Sequence, residues 1–235
     1  MSAEPDEPLN GDMTARVAVD VSKLPWVASP SPGVDRKRLH RVGPAESGQV
    51  TSVVRYAPGS TFPPHEHPEG EEIFVLEGVF SDEHGDWPAG TYLLNPEGFR
   101  HAPFSREGCV IFVKLRQADG EGREHVALQM RALDWQRCEV VGVEEKVLYQ
   151  QDGFPESVVL ERWRAGAGPI ERCHAGGVEL FVIHGQLEDE VGLHGPGTWL
   201  RYPAGGRYCS SSLEGCTLFV KRGGVAKLWS GADGE

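Results

Sequence analysis

Paired cysteines, long apolar runs and an excess of basic charge are all missing from this sequence of 235 residues. The five cysteines, Cys109, Cys138, Cys173, Cys209 and Cys216, are odd in number and scattered, and none forms a C-x-x-C pair. That excludes a zinc ribbon or a thioredoxin-type motif, and it suits free thiols in a reducing compartment. Lys and Arg number 23 against 35 Asp and Glu, a formal net charge of -12. Phosphate binding needs a basic surface, so nucleic acid is excluded as a partner, and an anionic membrane surface is disfavoured. No segment approaches the length of a membrane span. The opening "MSAEPDEPLNGDMTARV" is acidic and polar, without the apolar run of a signal peptide. A cytoplasmic location is expected, with no membrane partner. A long amphipathic helix pattern is also absent.

What the chain does have is punctuation. Thirty glycines and seventeen prolines break it at short intervals. Between them lie short runs rich in β-branched and aromatic residues, such as "TSVVRYA", "EIFVLEGVF", "GTYLLN", "CVIFVKLR", "SVVLERW" and "CTLFVKR". Such runs read as strands bounded by turns, and many short strands without helices imply a sandwich or barrel. The chain also repeats. Residues 71–98 align without a gap on 178–205, an offset of 107, which sets Gly78 on Gly185, Gly90 on Gly197 and Pro96 on Pro203. "EGCVIFVK" (107–114) falls on "EGCTLFVK" (214–221). A repeat of this length implies two copies of one all-β domain. The expected organisation is a flexible N-terminal tail over 1–20, a first domain over 21–130 and a second over 131–235.

The first copy concentrates ligand chemistry. His65 and His67 alternate on a strand and so project the same way. Glu71 follows across a short turn containing Pro68 and Gly70, and His101 follows the "NPEG" turn. Three imidazoles and a carboxylate offer donors to a borderline divalent ion. A lone H-x-H would carry little weight. Here the spacings are G-x5-H-x-H-x3-E-x6-G from Gly59 to Gly78 and G-x5-P-x-G-x2-H from Gly90 to His101, the two motifs of the cupin superfamily. Ser105 stands where that family has an asparagine that is not a metal ligand. Glu72, with four residues between it and His67, also satisfies a looser spacing, although the distance to Gly78 favours Glu71.

In the second copy Arg172 stands for His65, Val178 for Glu71 and Tyr208 for His101, while His174 keeps the place of His67. Glu179 could be enlisted by a register shift, giving two ligands at most. This copy is expected to be metal-free. Arg172, His174 and Tyr208 read either as a degenerate polar pocket for an anion or small ligand, or as a satisfied core network. Phe104, Phe112 and Trp87 read as pocket-lining or core aromatics, and Cys109 and Cys216 as matched small core residues.

The segments "LPWVASPSPGVDRKRL", "RYAPGSTFPPHEHPEGEEIFVLEGVF" and "GCVIFVKLRQ" resemble the cupin-like domain of ChrR anti-sigma factors, closely over 20–118 and in degenerate form over 131–222. The resemblance implies two tandem cupin jelly-roll barrels. It also implies zinc on His65, His67, Glu71 and His101; with the donor set and the degenerate second copy, the expectation is one divalent metal per chain, zinc or iron(II) first and nickel or manganese next. No counterpart of the helical zinc domain of ChrR precedes the cupin, so anti-sigma activity is not carried over. The functions left open are an iron(II) dioxygenase-type enzyme cleaving a small diketone or hydroxyaryl ketone, a sensor needing a regulatory protein partner, and a structural zinc cupin. Homodimerisation is a family expectation, and no separate catalytic base is visible in the motifs.

Overall fold

The computed structural model describes residues 7–225 and resolves them into two compact units. Among the described residues, unit 1 holds 7–11 and 25–130, and unit 2 holds 12–24 and 131–225. Both are antiparallel β-structure, with two single-turn 3-10 segments, Val21–Lys23 and Met130–Ala132. The all-β tandem barrel expected from the repeat is what the chain forms.

The large sheet of unit 1 runs in the order Val126–Gln129, Thr91–Asn95, Glu71–Asp82, Cys109–Leu115, Gln49–Tyr56, Val34–Val42 and Val27–Ala28. Alternation along these strands sends Ile73, Val75, Ile111 and Val113 into one buried cluster with Val34, Tyr56, Phe80 and Leu93. The intervening residues Phe74 and Phe112 are also buried, on the opposite face. The strand Glu71–Asp82 bends at Gly78, beyond which it pairs with Gly85–Pro88 and Phe104. Gly78 has φ +70, and a Cβ there would lie 2.1 Å from the Gly108 carbonyl oxygen, so only glycine fits the bend. A separate two-stranded sheet pairs His65–His67 with Phe99–His101, placing His65 opposite His101.

Unit 2 repeats the plan with a seven-stranded sheet centred on Val178–Gly185 and Cys216–Arg222. A four-stranded sheet faces it, built from Ala167–Cys173, Arg207–Ser212, Leu187–Glu188 and Leu193–His194. Its core gathers Val159, Trp163, Leu180, Val182, Leu187, Tyr202, Tyr208 and Leu218.

The expected tail over 1–20 is corrected where it is described. Val17–Asp20 is a strand, paired with Thr198–Arg201 of unit 2, and Leu9 bridges Arg41 in unit 1. The physical reason is backbone pairing. A sheet edge presents unsatisfied N–H and C=O groups, and a short extended segment satisfies them without an apolar repeat of its own. Val126–Gln129 does the same for unit 1, pairing with Thr91–Leu94. The strand ahead of each copy therefore belongs to the other copy's unit, and the units divide between 130 and 131, whereas at the N-terminal side 12–24 belongs to unit 2 and unit 1 resumes at 25. Residues 1–6 and 226–235, part of the expected tail and second domain, lie outside the described residues.

Candidate metal centre

Local chemistry brings the first-copy ligands together. The turn from His67 to Glu71 needs Gly70, with φ +71 and a Cβ position 2.5 Å from the Ala118 carbonyl oxygen. The pairing of His65–His67 with Phe99–His101 then carries His101 back to the first two histidines. His65, His67 and His101 each offer a ring nitrogen within 4.8 Å of the others, the one such group of three among the described residues. His67 Nε2 and His101 Nε2 are 2.9 Å apart. Glu71 Oε2 lies 3.3 Å from His67 Nε2 and 3.5 Å from His101 Nε2. Bonds of about 2.0–2.2 Å to a shared divalent ion separate adjacent donors by roughly 2.9–3.4 Å, so these edges fit such an ion.

The neighbours of the ligands fix their orientation. His65 Nδ1 is 2.7 Å from the Pro63 carbonyl oxygen, and His101 Nδ1 is 3.1 Å from Asp82 Oδ2. Each ring donates from Nδ1 and leaves Nε2 as the lone-pair nitrogen. Asn95 Nδ2 donates to Glu71 Oε2 at 2.9 Å. Burial holds the His67 ring toward its neutral form, with the Glu71 charge opposing and the other two histidines reinforcing. Burial also works against protonation of His101, but the hydrogen bond to Asp82 and the charges of Glu71 and Asp82 outweigh it and raise this group. Burial alone would raise Asp82. Its hydrogen bonds from His101, the His84 N–H and the Trp87 indole instead lower it, which keeps it an acceptor.

The two adjacent carboxylates are separated by strand alternation. Glu71 faces the histidines, whereas Glu72 accepts from the Tyr92 hydroxyl at 2.8 Å. Glu179 repeats that placement in unit 2, accepting from the Trp199 indole at 3.2 Å, so no register shift brings it toward His174.

A cavity of about 390 Å³ adjoins the first-copy ligands. Its walls include Val34, Val54, Tyr56, Phe62, Phe80 and Ile111, with His65, His67 and Glu71 on one side. Arg36 and Arg38 also border it, and both pair with Glu46, Arg36 at 2.5 Å and Arg38 at 3.2 Å. Phe104, Phe112 and Trp87 are not among its walls. Phe112 is on the opposite sheet face, Arg106 covers Phe104, and Trp87 donates to Asp82. Burial pushes Cys109 and Cys216 up to about 11, so both stay thiols and pack as small core residues.

The equivalent place in unit 2 holds an ionic cluster. Arg172 Nη1 reaches Glu161 Oε1 at 2.6 Å, Arg222 Nη2 reaches the same oxygen at 2.5 Å, and the Trp163 indole donates to Glu161 Oε2 at 2.8 Å. Glu145 completes it on Arg222 at 2.5 Å. Tyr208 stacks on Tyr202 with ring centroids 3.9 Å apart, and His174 lies 6.1 Å from Tyr208. Sequence reasoning named Arg172, His174 and Tyr208, which the fold does bring together. It missed Glu161, Arg222, Asp82 and Asn95. Asp82 did leave a signal, because it falls on Asp189 at the same offset of 107.

The sequence profile of the ChrR cupin-like domain matches this chain twice, over residues 14–119 and 123–226. The chain belongs to the ChrR cupin-like family. Both copies match, including the one in which two of the three histidines are replaced. No curated protein sequence matches the chain. Solved structures share its fold at low identity. A candidate dioxygenase from Nostoc punctiforme PCC 73102 is 17% identical with a TM-score of 0.74, covering 92% of this chain and 85% of its own. A deletion mutant of Bacillus subtilis oxalate decarboxylase is 12% identical with a TM-score of 0.61, covering 87% and 76%. A cupin 2 conserved barrel domain protein from Leptotrichia buccalis is 11% identical with a TM-score of 0.57, covering 88% and 95%. These likenesses establish two cupin barrels and no particular chemistry. No helix among the described residues is long and apolar enough to cross a membrane.

Proposed function

We propose that unit 1 holds one divalent metal per chain through His65, His67, Glu71 and His101, and that a small molecule binds at that metal in the adjoining cavity. The observation that carries this reading is the convergence of three imidazoles and a carboxylate, of which His65, His67 and Glu71 line a cavity of about 390 Å³. A purely structural site needs four ligands and no cavity, so the cavity favours a reacting or sensed ligand. The donor set suits zinc or iron(II), then nickel or manganese.

Bound there, the metal would supply Lewis-acid polarisation of an oxygen donor on the ligand. The chain supplies the rest. Asp82 and the Pro63 carbonyl fix the two Nδ1 protons, so His65 and His101 present lone pairs without rotating. Asn95 steers the Glu71 carboxylate. The walls of Val54, Tyr56, Phe62 and Phe80 exclude water from the bound molecule.

An oxygen-dependent enzyme is the reading favoured among turnover functions, because one structural relative is named as a candidate dioxygenase. A sensor working through a regulatory protein partner is the alternative that family membership favours. The test is metal analysis of protein purified from its native host, followed by anaerobic iron(II) loading and oxygen uptake with small diketones and hydroxyaryl ketones. One equivalent of metal per chain is expected. Two equivalents, or none after loading, overturn the site. Full loading without uptake for any such substrate moves the function to sensing.

A further inference from the structure

The cavity of unit 1 carries polar chemistry that the metal reading does not use. Val34, Arg36 and Arg38 on one strand and Ser52, Val54 and Tyr56 on the next all line it. Val34 is the register partner of Tyr56, Arg36 of Val54 and Arg38 of Ser52. Alternation turns these side chains to one face, so two arginines and a serine stand among apolar walls. Ser52 is 2% exposed, and its Oγ is buried without a hydrogen-bond partner, as is Nε of Arg36. Buried polar groups are nearly always paired, so leftover donors on a cavity wall point to an acceptor from outside the chain. The fold does not require these residues. The same register in unit 2 pairs Val147 with Val159. The charges at this end do not balance either. Arg36 and Arg38 share one carboxylate, Glu46. Burial works against the Arg38 cation, Glu46 only partly offsets it, and the charge of Arg41 adds to the deficit. The other charged groups on the wall are engaged elsewhere: Arg116 faces Glu69 at 3.7 Å, Glu66 faces Arg100 at 3.2 Å, and Glu71 lies beside His67.

We propose that the small molecule bound in unit 1 is an organic acid, whose carboxylate takes the place of Glu46 on Arg36 and Arg38 beside Ser52, and whose apolar body lies along Val54, Tyr56 and Phe62 toward the histidines. Glu46 shows that a carboxylate fits there. Its two oxygens accept from Arg36 Nη1 at 2.9 Å and Nη2 at 2.5 Å, the fork geometry that guanidinium and carboxylate share. Glu46 is also easily displaced. It sits in the loop between Val34–Val42 and Gln49–Tyr56, and its side chain is 53% exposed against 6% for Arg38, so its carboxylate returns to water while the arginines stay in place. The ligand carboxylate gains the Ser52 hydroxyl as a further donor. Two arginines against one displaced acid suit a monoanion with an apolar body better than a phosphate dianion, whose second charge would be desolvated without a partner. This ligand class rests on unit 1 being the ligand-binding unit, as proposed above. The carboxylate end can nevertheless be read without any metal.

The test is calorimetric titration of the metal-stripped full chain with hexanoate, hexanamide and hexyl phosphate, and a separate zinc titration of the same protein. Hexanoate should bind with one saturable equivalent and a Kd of about 1 mM or tighter. Hexanamide, which keeps the shape and loses the charge, should bind about tenfold more weakly or worse. Ser52→Ala removes one hydrogen bond to a charged group and should weaken hexanoate by about tenfold. Arg36→Gln should abolish its binding. Glu46→Gln should tighten it, because the competing carboxylate is gone, and a merely structural role for Glu46 predicts no such gain. If Arg36→Gln fails to fold, the Ser52 and Glu46 variants still decide the matter. Equal binding of hexanoate and hexanamide, no saturable hexanoate binding, unaltered binding in Ser52→Ala, or tighter binding of hexyl phosphate than of hexanoate each overturns the proposal. The two readings fail separately. Zinc uptake with no preference for hexanoate sinks the carboxylate end and leaves the metal centre, whereas hexanoate binding without zinc uptake supports the carboxylate end and sinks the metal centre.

Discussion

Units 1 and 2 share a backbone plan, yet they put opposite contents at the same place. Where unit 1 has Val54, Leu115 and His65, unit 2 has Glu161, Arg222 and Arg172. Tyr56 becomes Trp163, Asn95 becomes Tyr202 and His101 becomes Tyr208. The first set leaves a cavity beside three imidazoles. The second set fills the barrel with two buried acid–arginine pairs and a tyrosine stack. Replacing the histidines therefore goes with a filled interior in unit 2. Larger side chains and an internal ion pair took over the space, as close packing requires. Asp82 and Asp189 show the same divergence at one position. Asp82 holds His101, whereas Asp189 accepts from Tyr202 at 2.5 Å and pairs with His194 at 2.9 Å and with Arg16.

The comparison breaks most sharply at the metal. His101→Ala or His67→Ala should take metal content from one equivalent to near zero by mass spectrometry, while His174→Ala should leave it at one. A loss in His174→Ala would mean that both units share the function.

Stability should break the other way. Arg172→Met leaves Glu161 with a single buried cation, and removing one partner of a buried pair costs about 3–5 kcal/mol. Adding Glu161→Val, which copies Val54 of unit 1, should recover a large part of that loss in urea unfolding. If the double variant is no better than the single one, the cluster acts through packing and its charges are incidental.

The supporting shell gives an intermediate effect. Asp82→Asn keeps the shape but weakens the hold on the His101 Nδ1 proton, and metal affinity should fall about 10–100-fold in chelator competition. Asp189→Asn should leave metal affinity alone and lower the melting temperature instead.

The smallest effect is acid dependence. Burial alone would raise Glu161, but the charges of Arg172 and Arg222 and its hydrogen bonds lower it. A carboxylate depressed on folding stabilises above its unfolded pKa of about 4.3, and that contribution fades as pH falls through the folded value. Metal-stripped protein should thus lose stability below about pH 4.3, and Glu161→Gln should flatten that loss. An unchanged slope in Glu161→Gln would assign the acid sensitivity to other carboxylates.

The ligands of unit 1 were legible because both cupin motifs are spacings, and spacing survives in a sequence. Glu71 against Glu72 was nearly legible, and strand alternation settles which one faces the histidines. Arg172, His174 and Tyr208 were legible as departures from the first copy. Their partners were not, since Glu161 and Arg222 come from strands whose pairing no local pattern specifies.

The sequence by itself determined the succession of short strands along each copy, the turn glycines and the residues that line up as candidate ligands. These depend on periodicity and on backbone conformations that few residues adopt. Only the tertiary structure decided that Val17–Asp20 and Val126–Gln129 each complete the sheet of the other copy's unit. It alone decided that Asp82 orients His101, and that Arg172 and Arg222 converge on the buried Glu161. Those outcomes rest on hydrogen bonds and charges between segments far apart in the chain, whose energies exist only once the barrel has closed and excluded water.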